Sequence, residues 1–220
     1  MPRRAPFWRT DRKPCGARRG DVHPYISPSG RGYTSFVALF PVFLDLTGER
    51  TLVVGGGSVA LRRARNLLGS GARVTVVAPR VRDDLARLGV TVVEREFEPQ
   101  DLAGVRVVFA CTDDVGVNDL VAREARARGV WCSHASRPSA GDVRLGASFA
   151  QGDVQVSVTT GASLPYLAQA LRDRLQDAVP VALPVEAWAA RREAALTLPV
   201  EQRELVLATL KAEIDRAVRA

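Results

Sequence analysis

The chain has 220 residues and 46% hydrophobic composition, enough for a sizeable core in one domain with a smaller appendage. Its formal charge of +7 misdescribes the body, because residues 1–35 hold seven Arg and one Lys against Asp11 and Asp21, a net of +6. The near-neutral remainder argues against a nucleic-acid surface, which needs cations clustered along one face. Cys15, Cys111 and Cys132 are odd in number and widely spaced, so they offer neither a disulfide frame nor a Cys-x-x-Cys metal site and fit a reducing compartment. The longest apolar run, Val37 to Leu44, falls far short of the about 20 residues a bilayer requires, and no secretory signal is evident. A cytoplasmic protein with no membrane or nucleic-acid partner and no metal ligand set is expected.

Residues 1–35 are rich in Arg, Pro and Gly, have no hydrophobic period, and read as a disordered basic extension. Phe7, Trp8, Tyr25 and Tyr33 sit among prolines without an amphipathic face, a poor match to a transit peptide. A start placed too early, with Val37 as the initiator from a GUG codon, is the reading preferred here. Phe40 to Leu46 then leads through the turn Thr47-Gly-Glu-Arg50 into the apolar run Leu52 to Val54.

That run breaks into Gly55-Gly-Gly-Ser-Val-Ala60. Gly55 permits a tight turn, Gly57 lets a phosphate approach the backbone, and Ala60 lets the following helix pack close to the strand. The amides from Gly57 to Val59 form a helix N-terminus, where peptide dipoles favour an anion. Ala60, Ala64, Leu67 and Leu68 recur at helical spacing, Gly69-Ser-Gly71 stops the helix, and Ala72 to Val77 is the next strand. Strand, glycine turn, helix and strand in about thirty residues make the unit that binds a dinucleotide. No Asp or Glu closes the second strand, which ends Ala78-Pro79-Arg80, so backbone or Arg80 must hold the ribose and the choice of NAD or NADP is open.

Beyond it, Asp83 to Leu88 reads as a short helix, Val90 to Val93 and Val105 to Ala110 as strands, Asn118 to Arg128 as a helix and Val130 to His134 as a fifth strand. This alternation predicts a Rossmann-like doubly wound parallel sheet over residues 36–145, with ligand beyond the carboxyl ends of the strands, where Thr112 to Asp114 and His134 to Pro138 fall. After Pro138 the texture changes. Ala147 to Ala150 and Val154 to Val158 suggest an antiparallel pair, and Thr159-Thr-Gly-Ala162 opens a helix carrying Leu164, Leu167, Leu171 and Leu175. Two strands do not stand alone in water, so residues 146–176 are expected to be a small α+β dimerisation segment completed by a second subunit. Residues 177–220 form a C-terminal helical domain.

In register along the chain stand Pro41-Val-Phe-Leu-Asp-Leu46, Val53-Val-Gly-Gly-Gly-Ser-Val-Ala60, Val76-Val-Ala-Pro79, Ala110-Cys-Thr-Asp-Asp114 with Asn118, and Val156-Ser-Val-Thr-Thr-Gly161 with Leu167-Ala168. In these motifs the chain resembles precorrin-2 dehydrogenase, the module that also forms the N-terminal part of bifunctional siroheme synthases. The resemblance runs from about Phe40 to Leu175 and stops before any methyltransferase region. It implies a homodimer that oxidises the tetrapyrrole precorrin-2 to sirohydrochlorin with NAD, followed in some members by ferrochelation. It places Gly55, Gly56, Gly57, Ser58, Val59, Ala60, Pro79, Arg80, Thr112 and Asp113 at the cofactor, and Thr160 and Gly161 near the tetrapyrrole. Arg137 and Arg144 suit its carboxylates.

One departure bears on chemistry. The family carries an Asp two residues before a proline after the fifth strand, its proposed acid/base and chelation residue, and Ser136 stands there. Serine does not replace a carboxylate as base or anionic ligand. His134 is the nearest titrating substitute, so Ser136 and His134 are the candidate catalytic pair and ferrochelation is doubtful. A non-catalytic NAD or tetrapyrrole sensor or carrier of the same fold is the alternative. An NAD-sensing domain that gates ion transport is disfavoured, since such domains keep the acidic residue after the second strand and lack the Thr-Thr-Gly segment.

Overall fold

The computed structural model describes residues 39–160 and 164–219, so the readings of residues 1–35, of Val37 as the start and of Gly161 lie outside the described residues. The chain divides into Met1–Phe40 and Pro41–Ala220, and every helix and strand among the described residues belongs to the second unit.

Five short strands, β1 (Arg50–Val54), β2 (Arg73–Val77), β3 (Thr91–Val93), β4 (Val107–Ala110) and β5 (Trp131–His134), form one parallel sheet in the order β3-β2-β1-β4-β5. The order reverses between β1 and β4, which is where a doubly wound sheet opens a crevice. Register makes that crevice level: Val54 pairs with Val77 on one side and Ala110 on the other, and Ala110 pairs with His134. The loops leaving β2, β1, β4 and β5 therefore start side by side.

Successive residues of β1 feed opposite cores. Val53 packs with Ala60, Leu61, Ala64 and Leu67 of α1 (Ser58–Gly69), whereas Leu52 and Val54 pack with Val121, Ala122 and Ala125 of α3 (Val115–Ala127). Both faces are covered, so the strands read as unbroken apolar runs rather than alternating ones. The short helix α2 (Asp83–Ala86) is seated by the fully buried Leu85.

Some details differ from the sequence expectation. The helix α3 starts at Val115 rather than Asn118, because the Asp114 carboxylate accepts the Gly116 and Val117 amides at 2.7 and 3.2 Å and fixes the start one turn earlier. A 3-10 turn at Pro99–Leu102, not anticipated, is closed by a reciprocal Glu98–Asp101 capping box with Pro99 in its first turn.

The sheet's outer edge at β5 is covered by the chain that returns after it. Cys132 O accepts the Asp142 and Val143 amides at 2.8 and 3.0 Å. Gly141 is what lets the backbone lie so close, since a Cβ there would stand 2.5 Å from that same carbonyl oxygen.

The remaining elements are β6 (Ala147–Gln151) and β7 (Val154–Val158), an antiparallel two-stranded sheet turned at Gly152 with φ +58°, and α4 (Pro165–Ala178), which packs on both strands. Its helix opens at Pro165, later than the Thr159 expected, with the proline in the first turn. Then α5 (Val185–Leu196) and α6 (Val200–Arg219) pack together, broken by Pro199 and joined by Glu213, which accepts the Trp188 indole N–H at 2.9 Å and pairs with Arg191 at 2.6 Å. Among the described residues no helix is long and apolar enough to cross a membrane.

Candidate cofactor and substrate crevice

Backbone contact, before any side chain, assembles the crevice. Gly55 has φ +124°, and a Cβ on it would stand 2.6 Å from the Cys111 carbonyl oxygen, so glycine alone lets the loop after β1 rest on the loop after β4. Gly56 is tighter still. A Cβ there would overlap the Arg80 carbonyl oxygen, and its own carbonyl accepts the Arg82 amide at 3.2 Å. The segment Pro79–Arg80, the glycine loop and the segment Cys111–Thr112 thus meet directly.

Gly57 is different: nothing lies within 4 Å of where its Cβ would be. It is the N-cap of α1, exposed, with no side chain capping the first turn. The amides of Ser58, Val59 and Ala60 consequently have no partner within their helix. Open space on the loop, free amides behind it and a helix dipole pointing outward fit a dinucleotide pyrophosphate. Ala60 is fully buried against β1, which is why a third glycine is dispensable there. Arg80 is exposed beside the loop.

A second assembly fixes the other wall. Asn118, in the first turn of α3 and 0% exposed, accepts from Thr112 N and Oγ1 at 3.0 and 2.9 Å, and donates to Thr112 O at 2.9 Å and to Ser136 Oγ at 3.4 Å. One buried amide thereby ties the loop after β4 to the loop after β5. Thr112 Oγ1 lies 2.8 Å from Asp114 O as well, so its single proton is shared between that carbonyl and Asn118 Oδ1, while Asp113 and Ser136 stay exposed.

His134 is also buried, and both its ring nitrogens are engaged. Nδ1 accepts the Arg137 amide at 3.0 Å, so Nε2 carries the proton and donates to Asp119 Oδ1 at 2.9 Å. Asp119 Oδ1 also accepts from the Arg137 guanidinium. That guanidinium first, and His134 second, hold the Asp119 carboxyl below its ordinary pKa. With a wholly buried side chain and both ring nitrogens engaged, His134 holds the Arg137 amide and the Asp119 carboxylate in place. Asp119 escaped the sequence reading; its signal was its place beside Asn118 in the helix that opens at the crevice.

Thr160 is not brought into this cluster. Its hydroxyl bridges Leu164, accepting from the amide at 3.1 Å and donating to the carbonyl at 3.3 Å, and no hydrogen bond among the described residues joins it to the crevice. Cys111 and Cys132 are reduced and buried, and burial pushes their thiols up to about 11 and about 12, so neither supplies a thiolate. No three His, Cys, Asp or Glu side chains converge to hold a metal among the described residues.

Residues 42–147 match a family model described as putative NAD(P)-binding. The chain is 39% identical over 145 residues to the siroheme synthase of Chromobacterium violaceum, covering 64% of this chain and 31% of that one. It is 40% identical over 146 residues to the siroheme synthase of Pseudomonas entomophila, with 64% and 32% covered. It therefore spans about a third of the length of the curated relatives it matches. The solved structure of SirC, a precorrin-2 dehydrogenase, superposes with a TM-score of 0.64 at 25% identity, covering 82% of this chain and 99% of that one.

Proposed function

We propose, taking the chain as a bearer of the precorrin-2 dehydrogenase module to which these relatives belong, that it oxidises precorrin-2 to sirohydrochlorin with NAD in siroheme biosynthesis. The observation that carries the reading is the likeness to SirC, which reaches past the dinucleotide fold into the strand pair and the helical tail. The reaction removes a hydride and a proton from a reduced macrocycle, and a bound nicotinamide supplies the hydride-accepting carbon.

The chain's own part is binding, orientation and the proton. Gly57 to Ala60 hold the pyrophosphate, Gly55 and Gly56 keep that loop against Cys111 and Arg80, and Pro79 and Arg80 line the ribose. Thr112, Asp113 and Ser136 form the polar wall that Asn118 keeps in place. Ser136 is no base, so in this reading the proton leaves to water at that wall. Arg137 meets a substrate carboxylate, and Thr160 with Gly161 borders the macrocycle. Ferrochelation is not part of the proposal, because the neutral Ser136 stands where an anionic ligand would be needed. The protein acts as a cytoplasmic homodimer, its dinucleotide domain at residues 36–145, its dimerisation segment at 146–176 and its helical domain at 177–220, without nucleic acid or membrane.

The test is anaerobic turnover of enzymatically generated precorrin-2, followed by sirohydrochlorin absorbance with NAD and with NADP in parallel. Turnover with NAD is expected. In Ser136→Asp, the new carboxylate sits beside the Asn118 amide donor, and turnover should rise roughly a hundredfold, a typical gain for a placed general base. Absence of turnover in both proteins, with NAD still bound, would return the carrier reading.

A further inference from the structure

Alongside α3 lies a concavity of which the proposed reaction uses Arg137 alone. It has a volume of about 270 Å³ and is lined by Asp119, Arg123, Arg126, Arg137, Ser139 and Ala140. Its charge is one-sided. Asp119 is already taken by Arg137 and His134. Arg123 and Arg126 approach Glu124 and Asp142 only at 3.9 Å, and Arg126 otherwise donates to Ala140 O at 3.3 Å. Both side chains are about two-thirds exposed, at 68% and 66%, which leaves guanidinium donors open to solvent.

The concavity begins where Arg137 leaves the β5 loop, one residue after Ser136, and follows α3 from Asp119 to Arg126, roughly 10 Å at helical rise. We propose that this cleft is a carboxylate subsite, in which Arg123 and Arg126 hold peripheral acid groups of the substrate while its ring lies in the crevice. The proposal rests on the dehydrogenase reading for the substrate's identity and on the cleft for its chemistry. Planar guanidinium forks suit carboxylates bidentately, and a ligand with several acid arms gains from a second cationic point set apart from the first. Ser139 adds a neutral hydroxyl at the rim.

Two measurements on the full chain separate the cleft from the reaction. The first follows the arginine Nε–Hε NMR signals during titration with pyromellitate, a rigid polycarboxylate, and separately with inorganic phosphate. Arg123 and Arg126 signals should shift with pyromellitate at concentrations where phosphate leaves them unmoved, and Arg123→Gln/Arg126→Gln should bind it about tenfold more weakly. Arg192→Ala, which removes an exposed cation from α5, should bind as the parent does. No shift, an equal response to phosphate, or equal weakening in Arg192→Ala overturns the subsite. The second measurement is the KM for precorrin-2 in the double variant, expected to rise about tenfold while kcat and the KM for NAD hold. A fall in kcat at unchanged KM overturns it too. If the parent shows no turnover, the enzymatic reading fails and the NMR titration still decides the cleft.

Discussion

Gly56 and Gly57 are neighbours with opposite constraints, and substitution separates them. Gly56 is pressed on backbone, which has no rotamer to move, so even Gly56→Ala should lower unfolding stability by about 3 kcal/mol, the range of an overpacked core. Gly57→Val has room in the free protein and should stay within about 1 kcal/mol of the parent, yet weaken NADH by roughly tenfold or more by crowding the phosphate. Denaturant unfolding together with NADH fluorescence reads both quantities. A Gly56→Ala protein of parental stability would show that the loop can slide off Arg80. The sequence made Gly55 and Gly57 legible because the spacing of a glycine turn is local. The collision that fixes Gly56 is with a residue 24 positions away, and no local pattern reports it. Asp119 was opaque for the same reason, and Asn118, though quoted in the motif, gave no sign of its hold on Ser136: those partners lie in the loop after β5.

At the scale of elements, the strands and the helices α1 and α3 were readable because two-faced burial leaves unbroken apolar runs and one-faced burial leaves a helical stripe. The stripe on α4 is present but half uncovered in the single chain: Leu167, Leu171 and Leu175 remain 46%, 41% and 43% exposed although the helix packs on β6 and β7. Exposed leucines in a row beside a two-stranded sheet are what the proposed homodimer would cover. Leu171→Asp should therefore give a folded monomer by analytical ultracentrifugation where the parent sediments as a dimer. A parent that sediments as a monomer at micromolar concentration would remove the dimer from the proposal. The helix boundaries were less legible, since α3 begins where an Asp114 side chain captures two amides and α4 where a proline permits a first turn.

For the whole molecule, the sheet must end somewhere, and how β5 ends governs its behaviour in solution. The amides of Asp142 and Val143 occupy the Cys132 carbonyl on the outer side of the strand, and Gly141 makes that approach possible. Bulk at this position should lift the covering segment. Gly141→Val is expected to keep its circular dichroism at low concentration while light scattering grows with time and protein concentration; scattering like that of the parent would mean the segment tolerates the added side chain.

The return of the chain over β5 thus acts as a guard against self-templating. An open strand edge offers its unpaired amides and carbonyls to any extended chain, including the edge of another molecule, and growth by such addition has no natural stopping point. Here the site's own loop fills the Cys132 carbonyl from within and lies along the edge. The segment after Ser136 and Arg137 is therefore under two demands at once, presenting polar groups to a ligand on one side and denying a template to neighbours on the other. A change made to broaden the crevice by lengthening this loop would put colloidal stability at risk before it altered any chemistry.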